Sequence, residues 1–196
     1  MNTRPLDRRI DSASGRPIVT LKPGEYHASA SGELIGTVLG SCIAVCLYDR
    51  AAGIGGMNHF MLPVQLSGAG AWGDIIATPA RYGVAAMELL INDMLKLGAS
   101  RANFEAKVFG GARVLSGMSD IGRSNIDFVR GFCERERIPV VRSDVGGERP
   151  RQLICDTLDG RVLMRYLQRA PDVATRERDY LNNPRPRPQA GEVDLF

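Results

Sequence analysis

Hydrophobic and polar residues alternate over short runs through much of the chain, which is the pattern of half-buried β-strands. The runs are bounded by glycine, proline or charged residues, and they span residues 24–29, 43–48, 54–62, 106–109, 140–145, 152–157 and 162–167. Asp49-Arg50-Ala51-Ala52-Gly53 separates the second run from the third, and Asp159-Gly160 separates the last two. Both connections are typical of turns, so two antiparallel hairpins are predicted.

Two segments have the spacing of apolar residues that is typical of amphipathic helices. The first spans residues 78–98; it opens with a threonine cap and a proline and stops at Gly98. The second is predicted to begin at a Ser124 cap and to end near Arg137, shortly before a proline. Hairpins interleaved with only two helices predict an α+β fold, a mixed sandwich rather than a doubly wound parallel sheet.

The two ends of the chain differ from the middle in composition. Residues 1–20 and 169–196 carry charges, serine, glycine and proline without apolar periodicity, and the second segment is rich in arginine and proline. We therefore expect a flexible N-terminal tail, one domain over residues 21–168 and a flexible C-terminal tail. With 44% hydrophobic residues among 196, the chain can build one sizeable core.

Charge and composition exclude several classes of protein. The formal net charge is only +3, and zinc-finger spacings, RNA-binding aromatic motifs and dense Lys/Arg blocks are absent from the sequence, so nucleic-acid binding is not predicted. No segment reaches the roughly 18 apolar residues of a membrane span, so no membrane insertion is predicted. The first residues lack the apolar stretch of an export signal, and we expect a cytoplasmic protein whose four cysteines are thiols.

The first predicted hairpin brings a cysteine close to a histidine. If its loop is residues 49–52, Tyr48 pairs with Gly53, and antiparallel counting places Cys42 directly opposite His59. A shift of one residue would move these two side chains to opposite faces. The other face of the hairpin would carry the apolar side chains Ile43, Val45, Leu47, Ile54, Phe60 and Leu62.

This pair of residues could carry nucleophilic chemistry. A neighbouring imidazole can take the proton of a thiol, which makes Cys42 a candidate nucleophile and His59 its base. Thr37 is a candidate hydrogen-bond partner that would hold the imidazole ring in the required orientation. Gly40 and Ser41 precede the thiol in a predicted tight turn, whose backbone N–H groups could stabilise an oxyanion.

Structural roles stay open for each of these residues. A buried cysteine in a strand commonly packs as a small apolar side chain, as we expect for Cys46, and His59 or Thr37 could be structural too. Zinc would have Cys42, Cys46 and His59 as ligands, but a fourth ligand and a close Cys-x-x-Cys pair are lacking, so no metal is predicted. Residues four apart on one strand face are too distant for a disulfide between Cys42 and Cys46.

Several ordered sequence blocks resemble the CheD family of chemoreceptor glutamine deamidases. They cover about residues 21–168. In chain order the blocks are Leu39-Gly-Ser-Cys-Ile-Ala-Val-Cys-Leu-Tyr-Asp49 with Gly55-Gly-Met-Asn-His-Phe-Met-Leu-Pro63, Arg81-Tyr-Gly-Val-Ala-Ala-Met-Glu-Leu-Leu90, Ala106-Lys-Val-Phe-Gly-Gly-Ala112, Ile121-Gly-Arg-Ser-Asn-Ile126 and Asp144-Val-Gly-Gly147.

The resemblance implies a layered α/β sandwich related to cysteine hydrolases of the deamidating toxin type. It also implies a cysteine nucleophile, a histidine partner and an upstream threonine, which map onto Cys42, His59 and Thr37. No cofactor is implied. The remaining candidates, for substrate or oxyanion binding, are Ser41, Gly40 and Asn58.

By this resemblance, the protein would convert glutamine side chains on the cytoplasmic helices of methyl-accepting chemoreceptors to glutamate and release ammonia. Because that substrate is a side chain on a helix, we expect an open groove that admits a helix. A CheC-type phosphatase is a second expected partner. The alternative is a non-enzymatic adaptor that binds chemoreceptors or the phosphatase, and a thiol-redox protein is a third hypothesis.

Overall fold

The computed structural model describes residues 5–62, 77–114, 121–168 and 171–182. These residues form two five-stranded sheets and three α-helices. The outer sheet consists of β1 (Asp7–Ile10), β2 (Pro17–Thr20), β4 (Leu34–Leu39), β9 (Arg151–Asp156) and β10 (Val162–Tyr166), in that spatial order. The central sheet has the spatial order β3 (Tyr26–Ser29), β6 (Ile54–Phe60), β5 (Ile43–Asp49), β7 (Phe104–Gly110) and β8 (Val140–Val145).

Each sheet combines antiparallel strands with one parallel pair, which is β2 with β4 in the outer sheet and β7 with β8 in the central sheet. The helices are α1 (Ala77–Lys96), α2 (Ile121–Arg135) and α3 (Pro171–Asn182), and a short 3₁₀ helix spans Arg101–Asn103. The prediction of a mixed α+β sandwich is therefore confirmed. None of the helices within the described ranges has the length and apolar character to cross a bilayer.

The middle strands of the central sheet, β5 and β6, are buried on both faces, and their alternating side chains enter two different cores. On one face Ile43, Val45 and Leu47 pack with residues of α1 and α2, among them Leu90 and Val129. The other face packs against the outer sheet. That second core contains Val19, Ile35, Leu39, Leu153 and Cys155 of the outer sheet with Cys42, Ala44, Cys46, Met57, Met61 and Phe109.

The β5–β6 hairpin keeps the predicted faces but not the predicted register. Ala44, not Cys42, lies opposite His59, and Tyr48 pairs with Gly55. The turn lies one position later than predicted, because the buried Asp49 stays in β5 and its carboxylate accepts two backbone N–H groups of the turn. Each residue of β5 is therefore paired with the residue of β6 that lies two positions beyond its predicted partner. A shift by an even number of residues leaves every side chain on its predicted face.

The structure corrects the predicted tails. Strands β1 and β2 lie within residues 1–20, and α3 lies within 169–196, so the described fold extends beyond residues 21–168 on both sides. Strand β4 was also missed, since residues 34–39 were assigned to none of the predicted strands. These elements are short, and their partners are distant in sequence, so local periodicity carries little signal for them.

Helix α2 starts earlier than predicted. Ser124 was expected to be its cap, but the helix begins at Ile121 and the exposed Ser124 lies within its first turns. The buried side of α2 includes the polar residue Asn125. This residue interrupts the apolar pattern in the first turns, so the true start of the helix was not recognised. Helix α1 begins and ends within two residues of the predicted bounds.

Candidate active site

The candidate site lies where the chain crosses from one sheet to the other. Residues 40–42 connect the end of β4 in the outer sheet to the start of β5 in the central sheet. Cys42 is the last residue of this connection, and its side chain is 0% exposed. His59 on β6 and Thr37 on β4 are each 2% exposed. The structure thus brings together the three residues that the sequence proposed as a triad.

A chain of hydrogen bonds fixes the tautomer of His59. Thr37 Oγ1 donates to the backbone carbonyl of Leu21 at 2.9 Å, and it lies 2.8 Å from His59 Nδ1. Because the single hydroxyl proton is donated to Leu21, Oγ1 accepts a hydrogen bond from Nδ1–H. Nε2 is then the unprotonated nitrogen, and it has no hydrogen-bond partner among the described residues. An imidazole held in this way can accept a proton at Nε2.

Burial controls the protonation of the thiol and of the ring. Desolvation raises the pKa of the Cys42 thiol well above its usual value, and the carboxylate of Glu177 raises it further. Desolvation lowers the pKa of His59 to about 4, against opposing effects of Glu177 and Glu25. In this closed arrangement at neutral pH, both groups are therefore neutral. A ring nitrogen of His59 and the Cys42 sulfur lie within 4.8 Å of one another.

Three hydrogen bonds orient the connection that carries the thiol. The carbonyl of Gly40 accepts the N–H of Ala112 at 2.8 Å, and the carbonyl of Cys42 accepts the N–H of Gly111 at 2.8 Å. Between them, the Ser41 carbonyl accepts Nδ2–H of Asn125 at 2.9 Å. The carbonyls of Gly40 and Ser41 share rigid peptide planes with the N–H groups of Ser41 and Cys42, so the bonds to these two carbonyls also orient those two N–H groups. Together with the N–H of Gly40, they point towards one carboxylate in the site. Such a row of N–H groups is a binding site for an anion.

Two of the sequence blocks that resemble the CheD family supply the residues that bind these carbonyls. The block 106–112 contributes Gly111 and Ala112, and the block 121–126 contributes Asn125. Asn125 is 0% exposed, and its Oδ1 also accepts the N–H of Leu62 at 2.8 Å. Gly110 is required for the close approach, because it has φ 113° and an added Cβ would lie 2.1 Å from the carbonyl oxygen of Cys42.

Glu177 of α3 occupies the row of N–H groups, and sequence reasoning missed it. Its Oε1 accepts the N–H groups of Gly40 at 2.8 Å and of Cys42 at 3.1 Å. Its Oε2 accepts both the N–H and the hydroxyl of Ser41, at 2.8 and 2.7 Å. The expected open groove is therefore covered by α3 in this structure. A helical stripe in the C-terminal segment, Val173, Glu177 and Leu181, was the signal that could have indicated this element.

Asn58 does not belong to the site, contrary to prediction. Its Oδ1 accepts the N–H of Val45 at 3.0 Å, and its Nδ2 donates to the carbonyl of Ala86 at 3.1 Å. Both contacts lie on the side of the central sheet that faces α1. Asn58 and His59 are adjacent in a strand, so their side chains point to opposite faces.

Gly55 is required by the packing of the two sheets. An added Cβ there would lie 2.7 Å from Cα of Thr157, so the two sheets approach each other closely at this point. Cys46, which was expected to pack in the core, is buried between the sheets with Cys155. All four cysteines are free thiols.

The site contains atoms that could ligate a metal. Cys42, His59 and Glu177 each bring one potential ligand atom to within 4.8 Å of the others. Sulfur, imidazole nitrogen and carboxylate oxygen are all zinc ligands. Both oxygens of Glu177, however, already accept hydrogen bonds from the connection 40–42. Those bonds account for the position of the carboxylate, and no metal is assigned.

A cavity of about 410 Å³ adjoins the site behind Ser41. Neither Cys42 nor His59 lines it, so it is not the place where the thiol would react. Its charged lining residues are Arg113, Arg123, Arg130, Asp127 and Glu148.

The two-sheet fold and the buried cluster of thiol, imidazole and hydroxyl define an α+β protein with a cysteine-centred site. A family model described as CheD chemotactic sensory transduction matches residues 61–166. A protein of Hahella chejuensis named probable chemoreceptor glutamine deamidase CheD is 47% identical over 184 residues, 93% of this chain and 86% of the relative. A Thiobacillus denitrificans protein of the same name is 45% identical over 194 residues, 97% of this chain and 93% of the relative.

The chain belongs to the CheD family. The family resemblance stated from the sequence blocks is thereby confirmed. Among solved structures, a Neisseria meningitidis protein of the DUF152 family matches with a TM-score of 0.45 at 11% identity, over 72% of this chain and 76% of that chain.

Proposed function

We propose that this protein is a protein-glutamine deamidase that acts on chemoreceptors. The observation that carries the proposal is the hydrogen-bond chain from Leu21 through Thr37 to His59, which leaves Nε2 unprotonated on a ring that has a nitrogen within 4.8 Å of the Cys42 sulfur. Relatives that are 45–47% identical are named probable chemoreceptor glutamine deamidases, which supports the choice of substrate.

In the proposed mechanism, Nε2 of His59 takes the proton of the Cys42 thiol, and the thiolate attacks the carbonyl carbon of the glutamine carboxamide. The negative charge that develops on the carboxamide oxygen is stabilised by the N–H groups of residues 40–42. Protonated His59 gives its proton to the departing nitrogen, and ammonia leaves a thioester behind.

Hydrolysis then completes the cycle. His59 takes a proton from water, and the resulting hydroxide attacks the thioester carbon. The C–S bond breaks, Cys42 recovers its proton, and the side chain is released as glutamate. Thr37 acts as a positioning residue, since it holds Nδ1 so that Nε2 stays the proton acceptor in both steps. The reaction needs no cofactor.

The expected partners follow from this activity. The substrates would be glutamines on the cytoplasmic helices of methyl-accepting chemoreceptors, so the protein would act in the cytoplasm. Arg113, Arg123 and Arg130, which line the cavity behind Ser41, would favour acidic surfaces of such helices. A CheC-type phosphatase is proposed as a further partner on the basis of the family resemblance.

Intact-mass spectrometry of a chemoreceptor cytoplasmic fragment tests the proposal. Incubation with the wild-type protein should add about one mass unit per modified glutamine, and Cys42→Ala should abolish the change. Cys46→Ala is the matched control, because this second cysteine is buried in the same core between the sheets and its loss should leave the reaction intact. Tight binding of several folded fragments without any mass change would favour the adaptor instead.

A further inference from the structure

Helix α3 buries a carboxylate in the middle of an apolar stripe. Val173, Glu177 and Leu181 are spaced by four residues, so they share one face of the helix, with Tyr180 beside them. Glu177 is only 1% exposed, whereas Asp179 on the same helix is exposed. A carboxylate is rarely buried unless its lone pairs are satisfied, so a specific interaction must hold Glu177 in place.

That interaction consists of hydrogen bonds to the nucleophile connection, and no cation of the described residues forms an ion pair with Glu177. The carboxylate accepts the N–H groups of Gly40, Ser41 and Cys42 and the hydroxyl of Ser41, over distances of 2.7 to 3.1 Å. These N–H groups are the donors assigned above to the oxyanion. Helix α3 therefore fills the place where the reacting group of a substrate would bind.

The chemistry of the proposed reaction explains why a carboxylate fits at this position. Deamidation turns a carboxamide into a carboxylate, and just after hydrolysis that carboxylate lies between the cysteine sulfur and the N–H donors. Glu177 offers the same group, a glutamate side chain carried by a helix, and one of its oxygens lies within 4.8 Å of the sulfur of Cys42.

We propose that α3 is an internal product mimic: Glu177 occupies the position of the product glutamate, and α3 must leave before a substrate helix can bind. This inference rests on the proposed function. It also predicts how a substrate helix docks, with apolar residues four positions before and four positions after the target glutamine, as Val173 and Leu181 flank Glu177.

Two further observations agree with a helix that covers the site and can leave it. The carboxylate of Glu177 raises the pKa of the Cys42 thiol, so the docked helix suppresses formation of the thiolate. In addition, the buried hydroxyl of Tyr180, which packs against Gly24, has no hydrogen-bond partner in the described part of the chain. An unsatisfied buried hydroxyl weakens the docking of α3.

The accessibility of the thiol tests the covering role. Full-length wild-type protein, Glu177→Ala and Glu177→Gln would be treated with iodoacetamide, and labelling of Cys42 would be followed by peptide mass mapping relative to labelling of the core residue Cys46. Glu177→Ala should label Cys42 about tenfold faster or more, since loss of charge-assisted hydrogen bonds raises the population of the open state. Glu177→Gln should do the same for as long as its mass shows that the introduced glutamine is intact.

Asp179→Ala is the matched control, because it removes a negative charge from the exposed side of α3, and it should label like the wild type. An unchanged ratio of Cys42 to Cys46 labelling in both Glu177 variants would overturn the proposal. This measurement does not depend on deamidase activity. If labelling rises while receptor fragments never change mass, the proposed function fails and the covering role of α3 stands.

The Glu177→Gln variant also tests the product position itself. The introduced glutamine would lie at the nucleophile, so the variant should gain about one mass unit during storage, as it is deamidated within its own chain. The double variant Cys42→Ala/Glu177→Gln should keep its mass. If Glu177→Gln deamidates a receptor fragment but not its own introduced glutamine, Glu177 does not mark the product position and the inference is wrong.

Discussion

The hydroxyl oxygen of Thr37 lies 2.8 Å from Nδ1 of His59, so the outer sheet fixes the orientation of a ring that the central sheet carries. Thr37→Val should leave the Nδ1–H and the Leu21 carbonyl without their partner. We expect kcat/KM on a receptor fragment to fall about 100-fold or more and the free energy of unfolding to fall by about 1–3 kcal/mol.

Thr37→Ser keeps the hydroxyl and should retain most of the activity. Steady-state kinetics and urea denaturation of both variants make the comparison. Equal activity of the valine and serine variants would contradict a positioning role for the hydroxyl.

The protonation of His59 should make stability depend on pH. Burial lowers the pKa of His59 to about 4 in the folded protein, whereas an unfolded histidine titrates near about 6.5. Between these values the unfolded state binds a proton that the folded state does not. The free energy of unfolding should therefore fall as the pH is lowered from about 6.5 to about 4, by at most about 3 kcal/mol from this residue.

Urea denaturation at pH 7 and pH 5 measures this effect, with His59→Gln as the comparison. The wild type should lose more stability between the two pH values than the variant does. Parallel losses in both proteins would mean that His59 is not the group responsible.

Asn125 should matter for both stability and activity, because its side chain ties α2 to the Ser41 carbonyl and to the N–H of Leu62. Asn125→Ala leaves two buried groups unsatisfied, so the free energy of unfolding should fall by about 2–4 kcal/mol. Activity per folded molecule should also fall. The exposed neighbour Ser124 provides the control, since Ser124→Ala should change stability by no more than about 0.5 kcal/mol.

Gly110 should tolerate no side chain. An alanine there would place Cβ 2.1 Å from the Cys42 carbonyl oxygen, a backbone atom that cannot rotate away, so we expect a loss of about 3 kcal/mol or more. Gly146 also has a positive φ, 80°, but an added Cβ meets nothing within 4 Å. Gly146→Ala should cost only about 1–2 kcal/mol, and similar melting temperatures for the two variants would contradict the argument.

The faces of the β5–β6 hairpin could be predicted from sequence, and its register could not. Side chains alternate with a period of two, so the apolar pattern decides which residues share a face. It does not distinguish registers that differ by two residues. Asp49 decides between them, because its carboxylate binds the turn, and this interaction has no counterpart in the apolar pattern.

The contact between Glu177 and the nucleophile connection could not be predicted in the same way. It joins residues 135 to 137 positions apart, and the segment around Glu177 is dominated by charged residues. Strand β4 was missed for a related reason, since it is stabilised by pairing with β2 and β9. The hydrogen bond between Thr37 and His59 was nevertheless expected, because a hydroxyl beside an imidazole is a natural partner for a ring nitrogen.

The three tethered carbonyls of residues 40–42 have a consequence for the energy of each catalytic cycle. Their partners are Gly111 and Ala112, which directly follow β7, and Asn125 of α2, so none of them belongs to α3. The peptide groups that carry the N–H groups of Ser41 and Cys42 would therefore stay aligned after α3 leaves. The free energy needed to align them is supplied once, when the chain folds, and no reorganisation of these groups would be needed as charge develops on a substrate.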